Sequence, residues 1–279
     1  MLITGCSTGI GEYVAQALAQ EGWQVFASAR QMADVERLRA QGLNALWLDV
    51  DSTESITQAV EQVLTATQGR LYALFNNAGF GQPGAVEDLP RVALREQFET
   101  NLFGAIELTN QLLPAMRRNG TGRLLFNSSV LGFAAMPYRG AYNASKFAME
   151  GMVDTLRLEL RGTGIWPVLI EPGPITSRFR ANAEARFHRH INAEASAHYD
   201  VYAAMQARLA KPGPASPFTL GPEAVQAVVR RALLAHKPAA RYRVTTPTHL
   251  FAWAKRLLPT ALLDWLLIAG AGEEARKLR

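Results

Sequence analysis

The sequence predicts an α/β fold in which a doubly wound parallel sheet carries helices on both faces and is followed by a helical C-terminal extension. Three observations lead to this prediction. Short apolar runs alternate with longer helical patterns as far as residue 177. A glycine-rich turn at residues 4–11 follows the first apolar run. Polar residues stand where successive strands end, which is where parallel sheets bind their ligands.

The predicted elements alternate along the chain. Strands are expected at residues 2–3, 23–27, 43–48, 71–75, 123–127, 165–170 and 241–245. Helices are expected at residues 10–21, 35–41, 53–67, 91–119, 141–162 and 221–235, with Pro114 as a point where the long helix can break and Ser52 as a cap. Because helices connect these strands, we expect parallel pairing and right-handed crossovers.

The first strand is short for its central position. Only three residues precede Thr4, whereas strands usually have about five or six residues. Either the strand is clipped or translation starts upstream, and we favour an upstream segment. With no linker or repeat in sight, residues 1–279 are predicted to form one domain. Within it, residues 177–218 form a substrate lid and residues 247–279 an apolar helical tail.

Composition narrows the function classes. Apolar residues make up 48% and charged residues 19% of the chain, which is typical of a globular protein. Cys6 is the single cysteine, so no internal disulfide is possible, and His188 and His190 lack zinc-type spacing, so no metal is predicted. The chain shows no signal peptide and no long apolar run. We therefore expect a cytoplasmic protein, with a peripheral membrane contact as an alternative for the tail.

The glycine turn predicts a dinucleotide site. Gly5, Gly9 and Gly11 let backbone N–H groups approach a pyrophosphate at the start of the next helix. Arg30 follows the second strand, where a cation would pair with a 2′-phosphate and a carboxylate with a ribose hydroxyl. We therefore predict NADP(H) in preference to NAD(H), with Ser7 as a further donor. The alternative is that Arg30 is an ordinary surface arginine.

Two further features stand at strand ends or inside a helix. Asp49 ends the third strand, where its carboxylate could accept from an adenine amino group or cap the following helix. Asn101 lies inside the long predicted helix, where asparagine is unfavourable. It is either a functional residue or the site of a local kink with its side chain bonded to backbone.

Tyr142 and Lys146 predict acid–base chemistry. They are four residues apart, so they share one helix face. A tyrosine pKa of about 10 is too high for neutral pH, and a neighbouring ammonium lowers it. Ser129 ends the preceding strand, where its hydroxyl could hold a substrate oxygen. Together these residues predict proton transfer to or from a carbonyl or alcohol.

The chain resembles the classical short-chain dehydrogenases/reductases. Their motifs stand in family order over residues 2–177: the glycine turn at 4–11, Asn-Asn-Ala-Gly at 76–79, Asn101, Ser129, Tyr142-x-x-x-Lys146 and Pro-Gly-Pro-Ile-x-Ser at 172–177. The phrases Gly-Cys-Ser-Thr-Gly-Ile-Gly and Phe-Asn-Asn-Ala-Gly-Phe-Gly resemble the retinol and hydroxysteroid dehydrogenase branch, and most closely its bacterial NADP-dependent aldehyde reductases. The resemblance implies a Rossmann fold and hydride transfer with NADP(H).

The resemblance also implies residue roles. Tyr142 gives its proton to the carbonyl oxygen, and Ser129 orients that oxygen. Lys146 lowers the tyrosine pKa and holds the nicotinamide ribose, while Asn101 anchors a water in a proton relay through Lys146. The implied cofactor residues are Gly5, Ser7, Thr8, Gly9, Ile10, Gly11, Arg30, Asp49, Val50, Asn77, Ala78, Gly79, Tyr142, Lys146, Pro172, Gly173, Ile175 and Thr176.

The sequence departs from the family pattern at two places. Ser128 stands beside Ser129, so the choice of the catalytic serine depends on spacing alone. The usual threonine after the Pro-Gly turn is displaced, and Thr176 and Ser177 are the candidates to replace it.

The lid and the tail leave the substrate open. Aromatic residues in the lid favour an apolar aldehyde or ketone, or they simply pack the lid onto the body. The tail could lie on a membrane, cover the substrate site or form a dimer contact. A homodimer or homotetramer is expected. A non-catalytic NADP(H)-binding regulator is the alternative function, and nucleic-acid binding is not expected because the basic stretch 230–256 lacks a recognition motif.

Overall fold

The computed structural model describes residues 1–211, 213–214, 217–272 and 274–275, so parts of the predicted lid and tail (212, 215, 216, 273 and 276–279) lie outside the described residues. These residues form a seven-stranded sheet in the order β3-β2-β1-β4-β5-β6-β7. All pairs are parallel. The strands are β1 (Leu2–Ile3), β2 (Phe26–Ala29), β3 (Asn44–Trp47), β4 (Ala73–Asn76), β5 (Gly122–Asn127), β6 (Ile165–Glu171) and β7 (Arg241–Arg243).

Eleven α-helices are described along the chain. They are α1 (Gly9–Gln20), α2 (Met32–Ala40), α3 (Thr53–Ala66), α4 (Arg91–Phe98), α5 (Gly104–Asn119), α6 (Gly140–Glu159), α7 (Phe179–His190), α8 (Tyr199–Ala210), α9 (Glu223–Leu234), α10 (Thr246–Leu257) and α11 (Thr260–Gly270). The strand order reverses between β1 and β4, which creates a crevice at the carboxyl ends of these strands.

The sheet separates two apolar cores, which confirms the doubly wound fold. Neighbouring strand residues point to opposite faces, so Ile3 and Phe75 lie in one core whereas Leu2 and Leu74 lie in the other. Helices α1, α2 and α9 cover the first core, and α3, α5 and α6 cover the second. The sheet is therefore buried on both faces, as parallel sheets are.

Several predicted boundaries move. The second strand was expected at 23–27 but forms at Phe26–Ala29, because its register is set by pairing with β1 and β3 rather than by its own apolar run. β3 (Asn44–Trp47) and β7 (Arg241–Arg243) are shorter than the strands predicted at 43–48 and 241–245. Ser52 caps α3 as predicted, since its hydroxyl accepts a hydrogen bond of 3.3 Å from the backbone N–H of Ser55.

The long predicted helix at 91–119 is divided, although not at Pro114. A π-helical turn, Glu99–Phe103, separates α4 from α5. Pro114 lies inside α5 on its exposed side, where water can reach the carbonyl group that the proline leaves without a donor. The irregularity is instead at Asn101, where tertiary contacts hold the side chain.

The lid is more regular than the sequence indicates. Two helices, α7 and α8, pack onto the body through a third core, in which Phe187, Tyr202 and Met205 meet Ala85 and Tyr138. The tail forms α10 and α11 on either side of Pro259, as predicted. No helix among the described residues is long and apolar enough to cross a membrane.

Candidate active site

The glycine turn between β1 and α1 has the geometry of a phosphate site. Gly5 and Gly9 have φ values of 69° and 64°, a region that favours glycine. A Cβ atom on Gly11 would lie 2.4 Å from the carbonyl oxygen of Gly5, so only glycine fits there. Thr8 precedes α1 without forming a side-chain cap. The first turn of α1 thus keeps N–H groups for a pyrophosphate, which fits a dinucleotide.

The end of β4 is fixed to this turn through Thr4. The hydroxyl of Thr4 accepts hydrogen bonds of 2.9 Å from the backbone N–H groups of both Asn77 and Ala78. The Asn77 amide donates to the carbonyl oxygens of Thr4 and Gly5, at 2.9 and 3.2 Å. The Asn-Asn-Ala-Gly segment and the glycine turn therefore form one side of the crevice.

Arg30 stands immediately after β2, with an exposed side chain. Its carbonyl oxygen accepts a hydrogen bond of 3.0 Å from the indole of Trp47, which fixes the backbone here. Among the described residues, no hydrogen bond or ion pair holds its guanidinium group. An exposed and uncommitted arginine at this strand end can pair with a phosphate.

Arg37 is a cation near the turn that the sequence reasoning missed. Its guanidinium donates to the carbonyl oxygen of Ser7 and to the carboxylate of Glu12, both at 2.5 Å. The available signal in the sequence was its position in the helix predicted at residues 35–41, directly after the second strand. Arg37 also pairs with Asp34 at 3.4 Å, and because all three partners are protein groups it stabilises the turn.

The third strand end has a structural role in this chain. The carboxylate of Asp49 accepts a hydrogen bond of 3.1 Å from the backbone N–H of Asp51, so it closes the turn before α3. Val50 is buried, and its carbonyl oxygen would lie 2.0 Å from a Cβ atom on Gly104. These contacts bring α5 against the turn that holds Asp49.

Tyr142, Ser129 and Lys146 come together at the carboxyl ends of β4 and β5. Ser129 lies close enough to the Tyr142 hydroxyl to act on its pKa in the lowering direction. The Lys146 ammonium lies 5.8 Å from the centroid of the Tyr142 ring and donates to the carbonyl oxygen of Asn127 at 2.6 Å. Ser128 points elsewhere and donates to Glu150. The structure therefore distinguishes the two neighbouring serines and places Ser129 with the tyrosine.

Burial dominates the acid–base properties of this group. It raises the pKa of Tyr142 to about 12, although the nearby Ser129 side chain acts in the lowering direction. Burial also lowers the pKa of Lys146 to about 8, against the charge of Glu150, which raises it. The pKa of Tyr142 therefore shifts in the direction opposite to the lowering that we expected from Lys146, because desolvation dominates. A phenol in this state is protonated at neutral pH, as a proton donor must be.

Asn101 lies in the π-helical turn and is buried. Its side-chain oxygen accepts from the backbone N–H of Phe80 at 3.0 Å, and its amide donates to the Phe80 carbonyl oxygen at 3.0 Å and to the Ser145 hydroxyl at 3.1 Å. The side chain is therefore bonded to backbone, as one of our two interpretations required. Its contacts join the loop after β4 to α6 and do not include Lys146.

The Pro-Gly turn after β6 lies over the glycine turn. The carbonyl oxygen of Pro172 accepts a hydrogen bond of 2.8 Å from the backbone N–H of Val130. Ile175 pairs with Leu220. A Cβ atom on Gly9 would lie 3.0 Å from Cβ of Ser177. Of the two candidates for the displaced threonine, the structure therefore places Ser177 against the glycine turn.

Gly173 is held closely by the tail. A Cβ atom there would lie 2.1 Å from the hydroxyl of Thr245, which is buried and in turn lies 3.0 Å from the hydroxyl of Thr248. Thr176 is exposed, and its backbone N–H bonds to the carbonyl oxygen of Leu220 at 2.9 Å. The turn is thus anchored on both sides.

Apolar side chains from the lid and the tail surround Tyr142. The ring of Phe179, at the start of α7, meets the Tyr142 ring edge-on with centroids 5.4 Å apart. The tail packs on the loop after Ser129 through Phe251 and Leu267. Half-buried residues at the same cluster are Phe133, Met136, Tyr142, Leu263 and Leu266. The inner face of the tail therefore packs against the loop after Ser129, beside Tyr142. Among the described residues, no group of acidic, histidine or cysteine side chains could hold a metal.

Known proteins are similar to this chain in sequence. Residues 1–187 match the family model described as short chain dehydrogenase. The oxidoreductase YbbO of Escherichia coli K12 is 44% identical over 267 residues, which cover 96% of this chain and 93% of YbbO. Retinol dehydrogenase 8 of Homo sapiens is 38% identical over 67% of this chain and 62% of its own length. The NADPH-dependent 3-dehydrocapnine reductase of Ornithobacterium rhinotracheale is 31% identical over 94% of each chain.

Solved structures of dehydrogenases are similar to this chain in fold. A short-chain dehydrogenase from Streptomyces avermitilis covers 98% of both chains with a TM-score of 0.76 and 28% identity. An alcohol dehydrogenase from Thermococcus sibiricus, complexed with 5-hydroxy-NADP, covers 88% of this chain and 95% of its own with a TM-score of 0.69 and 25% identity. The similarity to retinol dehydrogenase 8 supports the predicted branch. The chain belongs to the short-chain dehydrogenase family.

Proposed function

We propose that this oxidoreductase is an NADP(H)-dependent enzyme that interconverts an apolar aldehyde or ketone and its alcohol. One observation carries the proposal: the Lys146 ammonium lies 5.8 Å from the centroid of the Tyr142 ring, with the Ser129 side chain near the tyrosine hydroxyl and an apolar cover from the lid and tail beside them. A protonated phenol next to a second hydroxyl is suited to a carbonyl oxygen that becomes negatively charged during reduction.

The residues of the chain divide the reaction between them. Ser129 donates to the carbonyl oxygen and orients it toward Tyr142. Tyr142 then transfers the proton from its hydroxyl to that oxygen, and the Lys146 ammonium stabilises the tyrosinate that remains. When bound, the nicotinamide supplies the hydride in reduction and accepts it in oxidation. Asn101 maintains the position of α6 through Ser145.

Arg30 supports the proposed preference for NADP(H). Its exposed guanidinium stands at the strand end where a 2′-phosphate would lie, and no carboxylate immediately follows β2. The NADPH-dependent relative and the neighbour with 5-hydroxy-NADP support the same choice. We propose that the phosphates are held by the turn containing Gly5 and Gly9.

A substrate screen tests the function and separates it from that of a non-catalytic regulator. Purified protein is incubated with NADPH and a series of aliphatic and aromatic aldehydes, retinoids and steroid ketones, and NADPH absorbance is followed. We expect turnover to rise with the apolar surface of the carbonyl compound, because the walls of the site are apolar. Tight NADPH binding without oxidation of NADPH by any carbonyl compound would favour the regulator.

The tail presents a second apolar surface, which we call the outer stripe. It consists of side chains that are between 55% and 72% exposed, namely Leu250, Trp253, Leu257, Leu262 and Trp265. Lys255 and Arg256 border the stripe, and the chain carries a net charge of +5. Tryptophan with basic neighbours is typical of helices that lie on anionic bilayers. We propose that the outer stripe contacts an anionic membrane surface, so that an apolar substrate dissolved in lipid reaches the site beneath it.

Vesicle sedimentation tests the membrane contact. The protein should sediment with vesicles of phosphatidylcholine and phosphatidylglycerol, less with phosphatidylcholine alone, and weakly with either when Trp253 and Leu257 are both changed to serine. Leu234→Ser is the matched control, since Leu234 is 57% exposed on α9. Sedimentation of the double variant equal to that of the unchanged protein contradicts the proposal. A loss of dimer mass in light scattering, with no effect on vesicles, would assign the stripe to a second copy of the expected homodimer or homotetramer.

A further inference from the structure

The face of α6 that carries Tyr142 and Lys146 continues to a third polar residue, Glu150. The three residues follow one another at intervals of four, so each lies about one helical turn beyond the last. Glu150 is 8% exposed, and the motif that predicted the acid–base pair did not include it. A buried carboxylate one turn from a buried ammonium requires an explanation.

Three consecutive residues at the end of β5 meet this face of α6. Asn127 accepts from Lys146 through its carbonyl oxygen, and the Ser129 side chain lies near the Tyr142 hydroxyl. Ser128, between them, donates a hydrogen bond of 2.5 Å to one carboxylate oxygen of Glu150. The segment that presents Ser129 to the site is therefore hydrogen bonded to α6 at Asn127 and Ser128.

The other oxygen of Glu150 faces Arg241 on β7. The guanidinium of Arg241 lies 3.1 Å from Glu150, 2.5 Å from Asp154 and 3.0 Å from Glu171. Glu171 is fully buried at the end of β6, directly before the Pro-Gly turn, and it forms a second ion pair of 3.2 Å with Arg243. The network thus connects α6 with the three strands at this end of the sheet.

The charge of Glu150 acts on the pKa of Lys146. Burial raises the pKa of Glu150 to about 7, as does the charge of Glu171, while the hydrogen bond from Ser128 and the charge of Arg241 lower it. The carboxylate in turn raises the pKa of Lys146, which burial has lowered to about 8. Lys255 on α10 is the other ammonium group that the charge of Glu150 affects. The pKa of Lys146 thus lies only slightly above neutral pH, so a further decrease would leave part of the side chain uncharged.

We propose that Glu150 is a positioning residue of the active site: its carboxylate keeps Lys146 in the ammonium form and, through Ser128, holds the segment that presents Ser129 to Tyr142. The inference rests on the proposed function for its meaning in catalysis. Its test measures Lys146 directly and needs no turnover, so the two can fail separately.

The test is a titration of Lys146 by nuclear magnetic resonance. The chain has five lysines, so the ¹³Cε signals are few, and Lys146→Met assigns the one of interest. Glu150→Gln keeps the size and removes the charge. We expect it to lower the Lys146 midpoint by about half a unit or more, because an opposite charge that favoured the ammonium has gone. The alkaline limb of the turnover profile should move to lower pH by the same amount.

Two further variants complete the design. Ser128→Ala removes only a hydroxyl, so it should fold even if Glu150→Gln does not. It should lower the Lys146 midpoint by a smaller amount, since Glu150 loses a hydrogen bond that keeps it ionised. Asp154→Asn is the matched control, because Asp154 shares Arg241 but lies two turns beyond Lys146. It should leave the midpoint within about 0.2 units of that of the unchanged protein.

The outcomes separate cleanly. A lowered midpoint in Glu150→Gln and Ser128→Ala, with an unchanged midpoint in Asp154→Asn, supports the role of Glu150. An unchanged midpoint in Glu150→Gln overturns it, and so does a shift in Asp154→Asn as large as that in Glu150→Gln. If Glu150→Gln does not fold, an unchanged Lys146 midpoint in Ser128→Ala is by itself enough to overturn the proposal. Glu150→Asp retains the charge, so its Lys146 midpoint should lie close to that of the unchanged protein.

Discussion

Tyr142→Phe is expected to lower kcat by about 10²- to 10⁴-fold with any carbonyl substrate, because the proton donor is lost. NADPH affinity should stay within about threefold, since only one hydroxyl is removed and the ring remains. Ser129 keeps the hydrogen bond of 3.1 Å that its hydroxyl accepts from the backbone N–H of Leu131, so the serine should hold its place. Turnover is measured by NADPH absorbance and binding by NADPH fluorescence.

Tyr72→Phe is the matched control for this change. Tyr72 precedes β4 at the opposite end of the sheet, where its hydroxyl donates to the carbonyl oxygen of Leu233 at 2.9 Å. The variant loses a phenol hydroxyl in the same way but should retain full turnover. If Tyr142→Phe also turned over at the rate of the unchanged protein, another group would have to supply the proton and our assignment would be wrong.

Arg30→Asp has the second large expected effect, a reversal of cofactor preference. A charge-assisted contact to phosphate is worth about 1.5–3 kcal/mol, so its loss should lower kcat/KM for NADPH by about tenfold to a hundredfold. The new carboxylate repels a 2′-phosphate and accepts from a ribose hydroxyl, so the value for NADH should rise. The measurement is the ratio of kcat/KM for the two cofactors with one aldehyde.

Two variants control for general effects of charge. Arg70→Asp makes the same change at an exposed arginine before β4, at the other end of the sheet, and should leave the ratio unaltered. Arg37→Gln removes the group that holds Ser7 and Glu12, and should weaken both cofactors equally because it acts on the turn. A ratio that is the same in Arg30→Asp and the unchanged protein would remove the basis for preferring NADP(H).

The parts of the site that the sequence predicts are those encoded locally. Tyr142 and Lys146 share a helix face by spacing alone, and Gly5, Gly9 and Gly11 mark the turn because few other residues fit its backbone. The doubly wound sheet follows from the alternation of strands and helices, and the structure confirms it. The choice of Ser129 over Ser128 depended on spacing and needed the structure.

The parts that the sequence does not predict depend on contacts between distant residues. Glu150 and Arg241 are separated by 91 positions, so no local pattern joins them. The division of the helix at Asn101 depends on hydrogen bonds to Phe80. Similarly, β2 takes its limits from its neighbours in the sheet. The raised pKa of Tyr142 comes from burial, which a motif does not report.

The cover of the site has a consequence for how such enzymes diversify. The segment shared with the family, residues 1–187, contains the whole acid–base group and the glycine turn. The inner face of α10 and α11, which packs beside Tyr142, is encoded after it. The acid–base group and the apolar cover that the tail adds to it are therefore encoded in separate stretches of the gene, although Phe179 of the cover lies in the first. Under the proposed function, a chimera that joins residues 1–246 to the tail of a relative should keep the reaction and change the preference among carbonyl compounds.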